Sequence, residues 1–375
     1  MILIVFWTSF LLLLYTFIGY PLLLRVIAAF MPKHHNIYES CQPSVSIVLS
    51  VYNEEAVIRQ KIENFLALDY PDDKLEFIII SDCCDDRTEE IIRAFSNPRI
   101  KLLVQTERSG KTKNLNRGVA DAQGDIIIFT DANSIFNRDA VAKLVRHFAD
   151  PSIGLVSGKS VYFDPATGNT STGGAFRRYE DFIKSSESRI VSIIGADGAI
   201  YALRETLYEP LRPEFINDFL HTIQVVIKGY RAISDDDAIC REETVEGGGG
   251  EFRRQTRIMA QSWLIFSTQI GLLLKSGKFL YAWQLINHKF IRWVTIPVMA
   301  LLLISSGLLA DEQTLPMIVF TILVVFLIMG VLGHYVKLRG LEIPYLFLIV
   351  HCAAISGFFI WIRGGTVATW NVRQG

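Results

Sequence analysis

The chain has 375 residues, half of them hydrophobic, and a formal net charge of −1 at pH 7. This charge argues against a nucleic-acid-binding protein, and a mean hydropathy of +0.31 is high for a protein without membrane segments. The five cysteines are odd in number and lack metal-site spacing, which argues against a disulfide scaffold and favours a reduced, cytosolic setting.

Four segments lack Asp, Glu, Lys and Arg and are close to the length of about 20 residues that a membrane-spanning helix needs. They are residues 1–24, 293–310, 314–333 and 343–362. We therefore predict one transmembrane helix within residues 1–30 and three within residues 293–363.

The first segment lacks the basic n-region of a signal peptide, so we expect a retained anchor. Arg25 and Lys33 follow it, which by the positive-inside rule places the polar middle of the chain in the cytoplasm. The expected location is the plasma (inner) membrane.

Apolar runs alternate with helical patterns through this polar middle. Strands are predicted at residues 45–51, 75–80, 100–104 and 126–129, with helices at 56–68, 88–95 and 114–122. Further predicted elements are a strand at 155–163, a helix at 176–194, a turn at 195–198 leading into a strand, and a helix from 215 to 228. The alternation is typical of a parallel sheet covered on both faces. We predict an α/β domain over residues 43–250 with a mostly parallel sheet.

Residues 251–292 are predicted to join this domain to the membrane. Four glycines at 247–250 predict a flexible hinge, and a basic run follows at 253–257. Residues 258–274 and 279–292 combine aromatic residues with cations, which suits the headgroup layer, so we predict interfacial helices there.

Polar side chains stand where the predicted strands end. Asn53 and Glu54 follow the first strand, Asp82 the second, and Asp131 and Asn133 the fourth. Because ligands bind at the carboxyl edge of open α/β sheets, these side chains are candidates for holding a divalent cation and, through it, a diphosphate. The alternative for the last pair is an ordinary strand-to-turn junction.

Asp197 and Asp218 extend this set. Asp218 opens a predicted helix and is also explained as an N-terminal residue favoured by the helix dipole. The basic run at 253–257 suits either a diphosphate or a membrane surface. Three aspartates at 235–237 are predicted to form a solvated turn.

Several segments, in order along the chain, resemble the motifs of one family. They are residues 45–55 with an Asn-Glu pair, 81–88 (similar to Asp-Gly-Ser-x-Asp-x-Thr), 110–118 (similar to Gly-Lys-x-x-x-Leu-Asn-x-Gly), 129–134 (similar to Asp-x-Asp), 195–204, 217–218, and 253–258, which stands where processive members have Gln-x-x-Arg-Trp. The chain resembles the membrane-embedded family-2 glycosyltransferases, a group with the GT-A (Rossmann-like) fold that includes hyaluronan, cellulose, chitin-oligosaccharide and poly-N-acetylglucosamine synthases. The resemblance covers roughly residues 43–260.

The resemblance implies a set of donor-binding residues. They are Tyr52, Asn53, Glu54, Asp82, Lys111, Asp131, Arg254 and Arg257. Among them, Asp82 would contact the uracil of a UDP-sugar, and Asp131 its ribose or diphosphate. Asp131 and Asn133 would hold the metal, Mg²⁺ or Mn²⁺.

On the acceptor side, the resemblance implies that Asp197 and Gly198 contact the sugar and that Asp218 is the general base. A carboxylate in that role takes the proton of an acceptor hydroxyl as it attacks the anomeric carbon. One direct displacement inverts that carbon, so an α-linked donor gives a β-linkage.

Three segments depart from the family pattern. Asn133 replaces a carboxylate and holds a divalent cation less well, Cys83-Cys84 replaces Gly-Ser, and Ile258 replaces the tryptophan. We expect the cysteines to be structural rather than reactive. The loss of a stacking surface at Ile258 bears on processivity more than on catalysis.

The sequence therefore predicts an inverting glycosyltransferase that moves a sugar, GlcNAc or Glc, from a UDP-sugar to a saccharide acceptor at the membrane. One alternative is single-sugar transfer to a lipid or lipid-linked acceptor. Another is an inactive scaffold of an exopolysaccharide complex, acting with partner subunits, for which Asn133 would mark a decayed metal site.

Overall fold

The computed structural model describes residues 1–31, 37–163, 170–171, 175–243, 248–336, 338 and 340–365. The described residues divide into two compact units. The α/β unit contains residues 31–243 and 267–281, and the helical unit contains residues 1–30, 248–266 and 282–365.

The described elements begin with two helices and continue with a mixed α/β order. The strands are β1 (Val45–Val51), β2 (Leu75–Ser81), β3 (Ile100–Val104), β4 (Ile126–Thr130), β5 (Ser134–Phe136), β6 (Ile153–Phe163), β7 (Thr170–Ser171), β8 (Ile200–Arg204) and β9 (Arg231–Glu243). The helices are α1 (Ile2–Leu14), α2 (Tyr20–Phe30), α3 (Ile58–Leu66), α4 (Thr88–Arg93), α5 (Lys111–Ala120), α6 (Ala140–Val145), α7 (Ala175–Ile190), α8 (Asn217–Ile227), α9 (Gly248–Lys275), α10 (Phe279–Leu285), α11 (Ile291–Trp293), α12 (Thr295–Leu309), α13 (Thr314–Tyr335) and α14 (Glu342–Ile362).

One sheet organises the α/β unit. Its order is β3-β2-β1-β4-β8-β6-β9-β5, with β7 paired to β6. The first four strands are parallel, and Val45 pairs with both Leu75 and Ile126. Beyond β4 the pairing is mixed, because β8 runs antiparallel to β4 and β6, and β9 runs parallel to β6. The α/β prediction is confirmed, whereas the mostly parallel pattern holds only for the first half of the sheet.

The apolar runs of the central strands are buried on both faces, as a covered parallel sheet requires. Ile47 and Leu49 pack in the same core as α3, whereas Val48 packs on the other face with α5. Gly118 of α5 lies close to the sheet, because a Cβ there would stand 2.6 Å from side-chain atoms of Val48. This packing fixes α5, and therefore Lys111 at its start, against the strands.

The acidic run at 235–237 lies in β9 rather than in a turn, and although Asp236 and Asp237 are exposed as predicted, Asp235 is not. Asp235 is buried and accepts hydrogen bonds from Arg146 Nη2 at 2.8 Å and from His147 Nε2 at 2.7 Å. Burial would raise the pKa of Asp235, but these hydrogen bonds outweigh it and the pKa is lowered. The sequence pattern did not reveal these partners, which lie almost 90 residues earlier.

In the helical unit, three helices are long and apolar enough to cross a membrane. They are Ile2–Phe30, Thr314–Tyr335 and Glu342–Ile362. The span predicted at residues 293–310 is not a single long helix. In this region α12 has only 15 residues, about 22 Å of helix, and its axis is bent by 58° from that of the helix before it. Counted as one span, this bent pair brings the number to four among the described residues.

The connecting segment also departs from the prediction. Gly248 begins the 28-residue helix α9, so the glycine run is not a hinge from that residue onward; Gly247 lies outside the described residues. Trp263, which was predicted to face the headgroup layer, is buried against Trp293 and donates from Nε1 to the Ala354 carbonyl at 3.0 Å. Its role in the structure is packing.

Candidate active site

The loops after β1 and β2 are joined by hydrogen bonds at the carboxyl edge of the sheet. Asn53 has a left-handed backbone (φ 52°), which Asn tolerates better than most residues. Its side-chain Oδ1 accepts from the Asp85 amide at 3.1 Å, and the Glu54 amide donates to Thr88 Oγ1 at 2.8 Å. The Asn-Glu pair therefore has a structural role in holding the two loops together.

The Cys83-Cys84 pair lies in this arrangement. Cys83 is exposed and left-handed (φ 61°), a conformation that glycine adopts without strain. Cys84 is half-buried against the core, and its Sγ accepts from the Asn53 amide at 3.3 Å. The structure thus gives Cys84 a packing role and leaves Cys83 in a backbone conformation that disfavours a side chain.

Asp82 anchors the loop that leads into α5. Its buried carboxylate accepts from the Ser109 amide at 2.7 Å and from the Gly110 amide at 3.1 Å. The Arg108 guanidinium carbon lies 3.6 Å from the centroid of the Tyr52 ring, and Arg108 Nε lies 3.9 Å from Asp82 Oδ2. Sequence reasoning missed Arg108, although it belongs to the basic segment before α5.

Lys111 and Asp131 form an ion pair at the start of α5 and the end of β4. Lys111 Nζ lies 2.5 Å from Asp131 Oδ1, and the two side chains are 43% and 37% exposed. Below them, buried Lys61 donates to Thr130 Oγ1 at 2.8 Å and to the Ser134 carbonyl, and burial lowers the pKa of Lys61 to about 8. Lys61 therefore binds both ends of the turn from Thr130 to Ser134 that carries Asp131. The sequence did not predict this role, because Lys61 lies in an amphipathic helix, where a lysine is usually exposed.

Asp197 sits between β6 and α7. Its Oδ2 accepts from the Ser160 amide at 3.0 Å and from Arg177 Nη2 at 3.1 Å, and its own amide donates to Ser157 Oγ at 2.8 Å. Lys184 Nζ donates to the same hydroxyl at 2.7 Å. Two cations of α7 therefore face this carboxylate, and neither was singled out from the sequence.

Asp218 stands in the first turn of α8, and Gly198 lies directly against it. A Cβ at Gly198 would be 2.8 Å from Asp218 Oδ2. Burial raises the pKa of Asp218, and the charges of Asp131 and Asp197 raise it further, whereas Lys111 and the Phe219 amide lower it. The Ala196 amide donates to the Asp218 carbonyl at 3.3 Å, so Asp218 lies beside the turn that carries Asp197.

A buried network holds the start of α8. The side-chain amide of Asn217 donates from Nδ2 to Tyr201 Oη at 2.6 Å, and Tyr201 Oη lies 3.0 Å from His221 Nδ1. Burial lowers the pKa of His221 to about 3, so this imidazole is neutral and can accept a hydrogen bond from the tyrosine hydroxyl. The Tyr201 ring stacks on Phe129 at 4.8 Å between centroids. Tyr201 thus connects β8 to the helix turn that carries Asp218.

Asp131 and Asn133 offer a metal only part of its ligand set. Within the described part of the chain, no three His, Cys, Asp or Glu side chains converge as a metal site. Mg²⁺ and Mn²⁺ are commonly held by one or two protein carboxylates together with substrate phosphates. In addition, the Lys111 ammonium already occupies a cation position at Asp131. The residues therefore fit a metal that arrives with a diphosphate.

The remaining predicted residues are Arg254 and Arg257 of α9, which belong to the helical unit. Their predicted role at the diphosphate stays a prediction. The structure brings the other predicted residues to the carboxyl edge of β1, β2 and β4 and to the adjoining β8 and α8.

Two family models match the chain. Glycosyl transferase family 2 matches residues 46–205, and Glycosyl transferase family group 2 matches residues 126–336. A solved structure, the mannosyltransferase PcManGT from Pyrobaculum calidifontis in complex with GDP-Man and Mn²⁺, has a TM-score of 0.73 at 22% identity. The likeness covers 96% of this chain and 99% of that chain, and it confirms the GT-A-like fold.

Three relatives are similar over a shorter segment. The Probable glycosyltransferase YdaM of Bacillus subtilis (strain 168) is 37% identical over 123 residues. The Beta-monoglucosyldiacylglycerol synthase of Synechocystis sp. is 33% identical over 118 residues, and the Poly-beta-1,6-N-acetyl-D-glucosamine synthase of Staphylococcus aureus (strain COL) is 34% identical over 116. These matches cover 31%, 30% and 30% of this chain but only 29%, 25% and 28% of those proteins.

Proposed function

The chain belongs to the family-2 glycosyltransferases, and on that basis we propose that it transfers GlcNAc or Glc from a UDP-sugar to a saccharide acceptor at the membrane. The transfer inverts the anomeric centre and gives a β-linked product. The observation that carries the proposal is the contact of Asp218 with the turn that carries Asp197 and Gly198: a Cβ at Gly198 would lie 2.8 Å from Asp218 Oδ2, and the Ala196 amide donates to the Asp218 carbonyl at 3.3 Å.

In the proposed reaction, Asp218 takes the proton of an acceptor hydroxyl. The acceptor oxygen bonds to the anomeric carbon while the bond from that carbon to the diphosphate breaks, and the nucleotide leaves with the electron pair. The raised pKa of Asp218 makes it a stronger base than an exposed aspartate, and the Lys111 charge helps to keep it ionised. Gly198 leaves room for the carboxylate beside the reacting sugar.

On the donor side, Tyr52, Asp82 and Arg108 lie together where the nucleotide base is expected. Asp131 and Asn133 would hold the divalent metal, which when bound stabilises the negative charge of the departing diphosphate. Lys111, which pairs with Asp131, would share that task. A neighbour of similar fold binds GDP-Man with Mn²⁺, which makes GDP-mannose the second donor to test.

A lipid acceptor is the second candidate. The helical unit has three helices that could cross a membrane, and one relative is named as a glucosyldiacylglycerol synthase. Ile258 in place of tryptophan also suits single addition. Both candidates place the reaction at the cytoplasmic face of the plasma membrane, and a role for partner subunits of an export complex stays a prediction.

The test is nucleotide release by the full chain in nanodiscs, measured with UDP-GlcNAc, UDP-Glc and GDP-Man, each with Mg²⁺ or Mn²⁺. We expect one donor to be used, and Asp218→Asn to lower its kcat by about 10²–10⁴-fold. Asp139→Asn is the matched control, because Asp139 is half-exposed and pairs only with Lys143 among the described contacts.

Product analysis then separates a saccharide chain from a glycolipid. Binding of UDP or GDP without turnover, in the presence of lipid and saccharide acceptors, would favour the scaffold. Equal rates for wild type and Asp218→Asn would refute the general-base assignment.

A further inference from the structure

The ion pair between Lys111 and Asp131 joins two predicted ligand-binding residues. We propose that Lys111 competes with the divalent cation for Asp131 and yields this carboxylate when a nucleotide diphosphate arrives, so that nucleotide favours metal binding. The nucleotide part of this inference rests on the proposed function.

The pair is accessible, as an exchangeable contact must be. The two side chains are 43% and 37% exposed, unlike the buried Arg146–Asp235 pair, whose side chains are 11% and 6% exposed. Exposed pairs contribute only about 1 kcal/mol or less. A ligand can therefore separate Lys111 from Asp131 at small cost.

The backbone of Lys111 is fixed while its side chain remains extended toward Asp131. Asp82 holds the amides of Ser109 and Gly110 immediately before α5, and Thr112 Oγ1 donates to the Phe215 carbonyl at 2.9 Å. The helix start therefore does not have to move when the ammonium group changes partner. Rotation about the side-chain bonds of Lys111 is sufficient.

The metal and the ammonium group compete for the same oxygen. Mg²⁺ binds carboxylate oxygen at about 2.1 Å, and Lys111 Nζ already lies 2.5 Å from Asp131 Oδ1. If both bound this oxygen at once, the two positive charges would lie close together and repel each other. Asn133 adds no negative charge that would favour the metal. A diphosphate changes this balance, because its oxygens can bind the metal and also accept from a lysine.

The test measures Mn²⁺ binding to the full chain in detergent, by the electron paramagnetic resonance signal of free Mn²⁺, without nucleotide. We expect Lys111→Met to bind Mn²⁺ about fivefold more tightly than wild type, which corresponds to an ion pair of about 1 kcal/mol. Lys111→Arg, which keeps the charge, and Lys113→Met should match wild type. Lys113 is the control because it lies in the same helix turn and is 55% exposed, 4.0 Å from Glu107.

The same measurement with saturating UDP or GDP should tighten Mn²⁺ binding to wild type and remove the advantage of Lys111→Met. The double variant Lys111→Met/Asp131→Asn should lose the gain. Equal or weaker Mn²⁺ binding by Lys111→Met, no detectable binding by either protein without nucleotide, or a gain that survives Asp131→Asn would each overturn the inference.

The readout is independent of sugar transfer. If wild type transfers a sugar but its Mn²⁺ affinity is unchanged by Lys111→Met, the inference fails and the proposed function stands. If Lys111→Met shows the gain but no donor is used, the metal competition stands and the proposed function fails.

Discussion

The contact between Gly198 and Asp218 allows the general base to be displaced without removing it. In Gly198→Ala, the new Cβ would lie 2.8 Å from Asp218 Oδ2, whereas ordinary contacts of this kind begin at about 3.4 Å. The carboxylate must therefore move by about 0.6 Å. Since a misplacement of about 1 Å can cost about 10²-fold in rate, we expect kcat to fall about tenfold. Donor affinity should change little, because the nucleotide residues are untouched.

Gly195→Ala is the matched control in the same turn, because a Cβ there would meet only the Phe219 ring, at 4.0 Å. Initial rates of nucleotide release at saturating donor and acceptor give kcat, and thermal unfolding shows whether both variants remain folded. Equal kcat values for the two alanine variants would refute the placement of Asp218 at the reacting centre.

Three further predictions concern stability, positioning and pH. Cys83→Gly should raise the free energy of unfolding by about 0.5–1 kcal/mol, because it relieves a left-handed backbone (φ 61°), and a higher melting temperature than wild type checks this. Tyr201→Phe removes the hydroxyl that accepts from Asn217, so we expect kcat to fall several-fold at unchanged donor affinity; an unaltered kcat would contradict the positioning role. Because burial raises the pKa of Asp218, kcat should fall on the acid side at a higher pH than an exposed aspartate would give. Lys111→Met should move this fall to still higher pH in the measured rate profile, since the lysine charge lowers that pKa.

The sequence was sufficient to predict the edge of the sheet on which the site lies. Buried parallel strands are continuous apolar runs, so their ends are visible as the first polar residues, and this located Asp82 and Asp131. The ends of the later strands were less clear, because β6, β8 and β9 pair in mixed directions and carry polar residues. The acidic run of β9 was misassigned for this reason.

Contacts between residues distant in sequence could not be predicted in this way. The burial of Asp235 depends on Arg146, and the support of the Asp131 turn depends on Lys61, 69 residues before Thr130. A lysine in an amphipathic helix has the same pattern whether it is solvated or buried beneath a loop. The left-handed backbone of Cys83 was likewise hidden, because cysteine does not mark that conformation as glycine does.

The surroundings of the carboxylates give a reason to assign them different roles. Asp82 is held by two backbone amides, and Asp197 by an amide and Arg177, so both are fixed in place as binding groups. Asp131 is paired with a lysine that can be exchanged.

Asp218 differs from these three, because its carboxylate accepts a hydrogen bond from the neighbouring Phe219 amide, at 2.7 Å, and burial raises its pKa. A carboxyl group whose pKa is raised by burial is suited to acid–base chemistry. Of the four, Asp218 therefore has the environment best suited to accept a proton, and the other three are better suited to hold the donor, the metal and the sugar. The Gly198→Ala and Lys111→Met variants test this division of roles in two ways. Gly198→Ala moves the base, whereas Lys111→Met removes a positive charge beside it.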